Sequence, residues 1–385
     1  MTSDDLSVAG ALRVRSVTER AARCVLRLRG ALQTAAAVGL FLSGWATPAA
    51  WGACVMEREQ PDQPAAFVRH LGSRCTEQER EVQAIKAEDI TAALKAGKSV
   101  DIAGAMIVGD LLFDALPPVK AGTLSGAPSM LHEALRAQPA AEVRRIAGPI
   151  TMTQSVVRGT IGTQVKKGYV VAEGPVTMTG TTFERAADFS RTAFLGPADF
   201  SEAVFLSHAF FIQALFAGPA RFEKTAFGPH SRFHRAIFGE PVTFLRAGFN
   251  GLAEFLEVTF EKEASFSRAY FKMGTGFSGS RFRGILDFSE ALFEREAFFT
   301  FTVFEQDAYF RRTTFRGAAD FSDAHFKGLD DFSKVMFVVE PRFARVHAGG
   351  PRPTPGGLQD PRVLYGIATI LFIFTLLFLA SLRKR

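Results

Sequence analysis

From Phe183 to Phe343 the apolar positions follow one rule. A phenylalanine recurs at gaps of six and five residues in strict alternation, through Phe189, Phe194, Phe200, Phe205 and Phe211 to Phe326, Phe332, Phe337 and Phe343. Thirty phenylalanines stand on this ladder; only Phe210, Phe298 and Phe301 within it lie off register. The position two before each rung is nearly always small, with Leu286, Asp330 and Pro341 as the exceptions. Neither a helix nor a simple alternating strand gives this spacing. A fixed short repeat predicts a solenoid, whose units bury their apolar side only by stacking on their neighbours.

In an extended unit a small residue and a phenylalanine two positions later point the same way. Each unit is then one side of a coil with both turned inward, and the residues between units turn the corner. Stacking in register requires a whole number of eleven-residue pairs per coil. A 22-residue, four-sided coil is favoured, because four inward rings can fill the interior. An eleven-residue, two-sided coil is the alternative. Four-sided coils number about seven over the ladder, a rod of roughly 35 Å at ~4.8 Å per strand.

The units ADFSRTAF (187–194), ADFSEAVF (198–205), LDFSEALF (286–293) and ADFSDAHF (319–326) resemble those of bacterial pentapeptide-repeat proteins, most closely the phenylalanine-centred branch with alternating five and six spacing. The resemblance implies a mainly β fold: a right-handed, four-sided (quadrilateral) β-helix solenoid. It implies little about function. The familiar activity of that family is mimicry of duplex DNA by acidic cytoplasmic rods that bind DNA gyrase.

The flanking segments read differently. In residues 1–53, six arginines from Arg13 to Arg29 precede an apolar stretch centred on Leu40, Phe41 and Leu42 and then small residues, the order of a secretory signal. Cleavage after Ala49 or Gly52 fits; an uncleaved signal anchor is the alternative. Residues 54–99 are expected to form an N-terminal helical cap. A helix over 76–99 would place Val82, Ile85, Ile90, Ala93 and Leu94 on one face and stop at Gly97. Residues 100–180 read as entry coils with aliphatic rungs (Ile150, Met152, Val157, Ile161, Val171, Val176, Met178), interrupted over 114–145 by a loop and a short helix at 130–136. Residues 181–343 are the repeat β-helix. The Gly- and Pro-rich residues 344–361 read as a linker. Residues 363–382 carry no charge and match the thickness of a bilayer as a C-terminal transmembrane helix, and Arg383, Lys384 and Arg385 mark its cytoplasmic end.

Charge sharpens this topology. The chain carries 45 basic and 39 acidic residues, net +6. The excess lies at the two ends, so the ladder has no nucleic-acid face. Nor does it carry the continuous negative stripe that imitation of phosphates requires. Of the three cysteines, Cys24 lies in the signal; Cys54 and Cys75 are expected to pair as a disulfide in an oxidising compartment.

Catalytic constellations are missing from the pattern. No phosphate loop, nucleophile elbow or Cys/His set stands out. His230 and His234 have a helical metal spacing, but they lie on the ladder where the coil turns between them. Carboxylates such as Glu261, Glu263 and Asp287 stand beside Arg and Lys on outward positions, a solvated face. The expectation is a non-enzymatic scaffold without cofactor or metal. It would be held by a single-pass anchor in the inner membrane, with its solenoid on the periplasmic side facing an unknown envelope protein or polymer, and would bind no nucleic acid. The alternatives are a DNA-mimicking gyrase binder and an envelope polysaccharide-processing β-helix.

Overall fold

The structure, a computed structural model, describes residues 54–347 apart from 60–64, 121–123, 125–126, 139–140 and 164. The expected signal (1–53), transmembrane helix (363–382) and basic tail (383–385) lie outside the described residues. Among the described residues no helix is long and apolar enough to cross a membrane.

The described chain is a mainly β, right-handed solenoid of about 11 turns. Its four sides are sheets whose neighbouring strands pair in parallel, with an antiparallel strand added at two sheet ends (Glu57–Arg58 and Pro118–Val119). Face 1 runs from Ala66–His70 through Ala198–Asp199 to Asp330–Asp331, and face 2 from Ile85–Lys86 through Val204–Phe205 to Met336–Phe337. Face 3 runs from Leu111–Leu112 through Ala209–Phe210 to Ala319–Asp320, and face 4 from Glu142–Ile146 through Leu215–Phe216 to His325–Phe326. Register decides between the two coils left open by the repeat. Phe183 pairs with Phe205 and Phe205 with Phe227, so a coil is 22 residues and four-sided.

The alternation of five and six now has a cause. Across each five-residue gap the chain makes a type II turn. Ala203 N–H donates to Phe200 O (3.0 Å) and Glu202 between them has φ 58°; Ala236 donates to Phe233 O (3.0 Å) around Arg235 at φ 55°. The left-handed residue recurs every eleven positions, as in Gln213, Lys224, Arg246, Glu257 and Arg268, and in the ladder only Gly279 is a glycine there. Left-handed backbone costs a non-glycine residue roughly 1–2 kcal/mol, which the stacked coils on either side offset. In ADFS units the aspartate helps form the corner: Asp199 Oδ1 accepts from Ser201 N–H (2.9 Å) and Asp320 Oδ1 from Ser322 N–H (2.9 Å). The six-residue gaps are the wider corners, from face 2 to face 3 and from face 4 to face 1.

The ladder rings are buried as four columns, with only the last two, Phe337 and Phe343, half-buried. Within a column the rings lie nearly parallel one strand apart, as Phe227 on Phe249 (4.7 Å, 4°). Across the interior they meet edge-on, as Phe244 and Phe255 (5.5 Å, 88°). Both geometries suit the ring quadrupole. At several small positions held by Thr or Ser the buried hydroxyl reaches the preceding coil: Thr225 donates to Phe200 O (2.8 Å) and Thr313 to Phe288 O (2.8 Å), whereas Ser231 donates to Leu252 O in the next coil (3.3 Å) and Thr192 Oγ1 is buried without a partner among the described residues. These bonds remove the cost of an unpaired polar atom in an aromatic core.

The entry region departs from expectation in three places. The single helix over 76–99 is two helices, α1 (Glu77–Val82) and α2 (Ala87–Lys95). Ile85–Lys86 between them is the first strand of face 2. Val82 is exposed, while Ile85, Ile90, Ala93 and Leu94 join the core. Here tertiary strand pairing overrides a helical pattern. Thr76 caps α1 with a reciprocal capping box to Glu79. Second, Val171 is not an inward rung: Val170 and Ala172 point into the rod, and Val171 faces outward. The other six predicted rungs are buried in the main core. Third, the rod does not stop at Phe343. Arg345 makes another left-handed corner, Val346 is buried and His347 bridges to His325, so 344–347 belong to the last coil rather than to a linker.

The interruption contains α3 (Ser129–Arg136), close to the predicted helix. It lies against the outside of face 4, where Leu124, Leu131, Met130 and Leu135 cover Tyr169, Val171, Ala193, Leu215 and Ile237. This is a second core, separate from the ring columns.

Candidate interaction surface

The outside of the rod is built by the same register as its inside. Residues 22 apart stack, so outward side chains form columns. Most charged columns neutralise themselves. Glu202 pairs with Lys224 (2.7 Å), Glu254 with Arg232 (2.7 Å), Glu257 with Arg235 (2.7 Å), Glu261 with Arg283 (2.8 Å) and Glu290 with Arg268 (2.8 Å). Hydrogen bonding to Arg235 holds the Glu257 carboxyl below its ordinary range, and Arg268 does the same for Glu290. Of the carboxylates read as a solvated face, Glu261 is tied to a cation one coil away, whereas Asp287 accepts from Ser289 N–H (2.8 Å) at its own corner.

The histidines also follow the columns. His230 lies beside His208, ring centroids 5.7 Å apart. His234 instead approaches Glu254 (3.5 Å). The extended chain therefore sends the two histidines to different neighbours. Among the described residues no group of three His, Cys, Asp or Glu is placed to hold a metal. Cys54 and Cys75 are joined as a disulfide, Cα atoms 5.4 Å apart, between the start of the described chain and the residue before the α1 cap. Asp330 sits half-buried in the last face-1 strand.

Exposed aliphatic and methionine side chains such as Leu206, Leu329, Met336 and Val338 are scattered over the rod, but one part of the surface breaks the charged pattern with aromatic rings. On face 3, the coil from Met273 to Gly279 presents Gly274, Gly276 and Gly279. Below it lie Leu252 (40% exposed) and half-buried Leu256; above it stand Phe298 (44% exposed) and Phe301 (65% exposed). The floor of this depression is bare backbone. A Cβ on Gly276 would meet Leu256 Cδ2 at 3.0 Å, and Gly279 has φ +71°. Phe301 occupies the left-handed corner position at φ 57°, where the neighbouring coils place Gly279 and Asp323. A bulky aromatic held there and turned to water is a strained arrangement of the kind found at functional positions. A groove of about 280 Å³, lined by Ile212, Gln213, His234, Arg235, Leu256 and Glu257, borders the same edge.

Of the three off-register phenylalanines, Phe210 is less available: it stacks on His208 (5.5 Å, 8°) with Arg232 over its ring (5.6 Å). Sequence reading noted Phe298 and Phe301 without assigning them a role. The signal was present in their register: Phe298 and Phe301 stand 22 residues after Gly276 and Gly279, visible once a 22-residue period is imposed.

Comparison with known proteins agrees with the geometry. Residues 179–226 and 288–336 match the family model described as Pentapeptide repeats (9 copies). No curated protein and no solved structure matches. With its unbroken five/six ladder folded into four-sided coils, the chain belongs to the pentapeptide-repeat proteins.

Proposed function

We propose that this chain is a non-enzymatic scaffold whose solenoid docks a partner protein on the face-3 surface around Phe298 and Phe301. The observation that carries it is the pair of exposed aromatics beside a glycine floor; the other exposed large apolar residues of the described chain are aliphatic or methionine. Aromatic anchors over a shallow apolar depression are what concentrate binding energy at interfaces. The rod is rigid, so these groups are held in place before a partner arrives and little ordering cost is incurred on binding.

The scaffold is placed at the inner membrane by residues 363–382, with the solenoid outside the cytoplasm and the partner an envelope protein. Support comes from the uncharged 20-residue stretch, the basic residues behind it, the signal-like order of residues 1–53, and a disulfide between Cys54 and Cys75. Protease added to intact cells is expected to miss the solenoid behind an outer membrane and to degrade it once that membrane is permeabilised. Protection that persists would place the solenoid inside.

Docking is tested by site-specific photo-crosslinking from Thr300 in the full chain and in Phe298→Arg/Phe301→Gln. Arg232 and Gln213 already occupy the same columns, so the fold tolerates these residues. A discrete adduct lost in the variant supports the reading. An adduct that survives, or none in either protein, removes it.

A further inference from the structure

We propose that the cleft between the C-terminal end of α3 and the rod binds a phosphate-class anion. Ala137, Gln138, Lys166, Lys167, Arg191 and Gln213 line a cleft of about 490 Å³. Three cations and two carboxamides face it, and no carboxylate does. That composition is unusual for this molecule, where corner cations such as Lys224, Arg235, Arg268 and Arg345 each have an acid one coil away.

The reason lies in the register. The residues stacked on Arg191 in its column are Tyr169 and Gln213, neither of which offers a carboxylate at neutral pH. Arg191 instead donates to Gln138 Oε1 (2.6 Å). The same oxygen accepts from Gly168 N–H (3.1 Å), while Gln138 Nε2 donates to Ala134 O (3.3 Å). Gln138 is therefore fixed by backbone on two sides and fixes Arg191 in the cleft wall. Lys166 and Lys167 are exposed beside it, and neither has an ion pair among the described residues. Complementing the negative end of α3 does not account for the set, because Arg136 already occupies its last turn. Two ammonium groups with rotatable donors and one guanidinium around a cleft of this size suit tetrahedral phosphoryl oxygens better than a planar carboxylate, which the Arg fork would take in two-pronged fashion. A soluble phosphate and the phosphate of a lipid headgroup share this chemistry.

The test is calorimetric titration of the detergent-solubilised full chain with inorganic pyrophosphate at constant ionic strength. It is compared with Lys166→Gln/Lys167→Gln/Arg191→Gln. Glutamine is tolerated at the left-handed corner, since Gln213 holds it at φ 56°. The exposed double variant Lys166→Gln/Lys167→Gln provides the comparison if the triple variant melts early. A second arm titrates short-chain phosphatidylglycerol against short-chain phosphatidylcholine. Binding of pyrophosphate weakened at least ten-fold in the variants supports the site with a free phosphate. Selective loss of phosphatidylglycerol binding supports it with a headgroup. Equal affinity in all proteins, or no binding in either arm, overturns it.

Discussion

The aliphatic coils before Phe183 and the aromatic coils after it build one rod by different means. Along face 1, successive pairings span 33, 50 and 26 residues (Phe67 to Val100, Val100 to Ile150, Ile150 to Val176) before settling at 22 from Val176 to Ala198 onward. The early coils use five-residue strands such as Ser99–Ala103 and Gly168–Ala172, two helices and a disulfide. The later coils use strands of two or three residues and no other element. Aliphatic side chains pack without a preferred ring angle, so a coil can gain residues at a corner and still close. A column of phenylalanines fixes both spacing and tilt, because each ring lies flat on the next. The irregular coils are also where the rod carries an attached helix and its cationic cleft; the regular ones vary only their outward residues.

That contrast can be broken most severely by length. One glycine inserted between Glu257 and Val258 shifts every later ring out of its column. It is expected to abolish cooperative unfolding of the ladder in urea, monitored by circular dichroism. The same insertion after Lys120, in the attached segment, is expected to leave the midpoint unchanged. Next in size, Phe255→Ala empties a place in a fully buried column and should cost about 3–5 kcal/mol, read from the same urea curves; an unchanged midpoint would mean that the ring is not packed. Cys75→Ser opens a link across 21 residues and should cost about 3 kcal/mol, with hydrogen exchange accelerating in residues 54–103 and not in the ladder.

The smallest effect concerns Asp188, at the junction of the two regions. Burial raises its carboxyl pKa, and the nearby Asp114 adds to the rise, against the Ser190 hydrogen bonds that lower it. The folded state then holds its proton more tightly than the unfolded state. Stability contributed by this group is present at low pH and lost as pH rises through the raised value. Asp188→Asn, which keeps an acceptor for Ser190 N–H (2.9 Å), should flatten the fall in melting temperature from pH 4 upward. An identical slope in both proteins would assign the pH dependence elsewhere.

The rungs, the inward small positions and the end of the entry region were legible because they rest on local chemistry repeated many times. The candidate surface was only half legible. Phe298 and Phe301 stand out from the ladder in the sequence, yet their exposure and the glycine floor below them come from residues a full coil away. Val171 was misplaced because it stands next to an identical Val170, and nothing local says which of the two turns inward. Its partner, α3, reaches it across a chain excursion that no periodicity describes. The capping strand Ile85–Lys86 was hidden inside a helical pattern because two residues are too few to show a period.

By itself the amino-acid order determined that this chain is a rod: small residue, spacer and phenylalanine leave no other way to remove thirty rings from water. It also determined that corners come in two lengths, since five and six never exchange places. Only the tertiary structure decided that two such pairs close one coil, because an eleven-residue unit has the same local preferences whether its ring meets the next pair or the one after. The same is true of the outer surface. Which side chains stack, neutralise one another or stand alone depends on which coil lies above them, and that is a property of the register rather than of any segment.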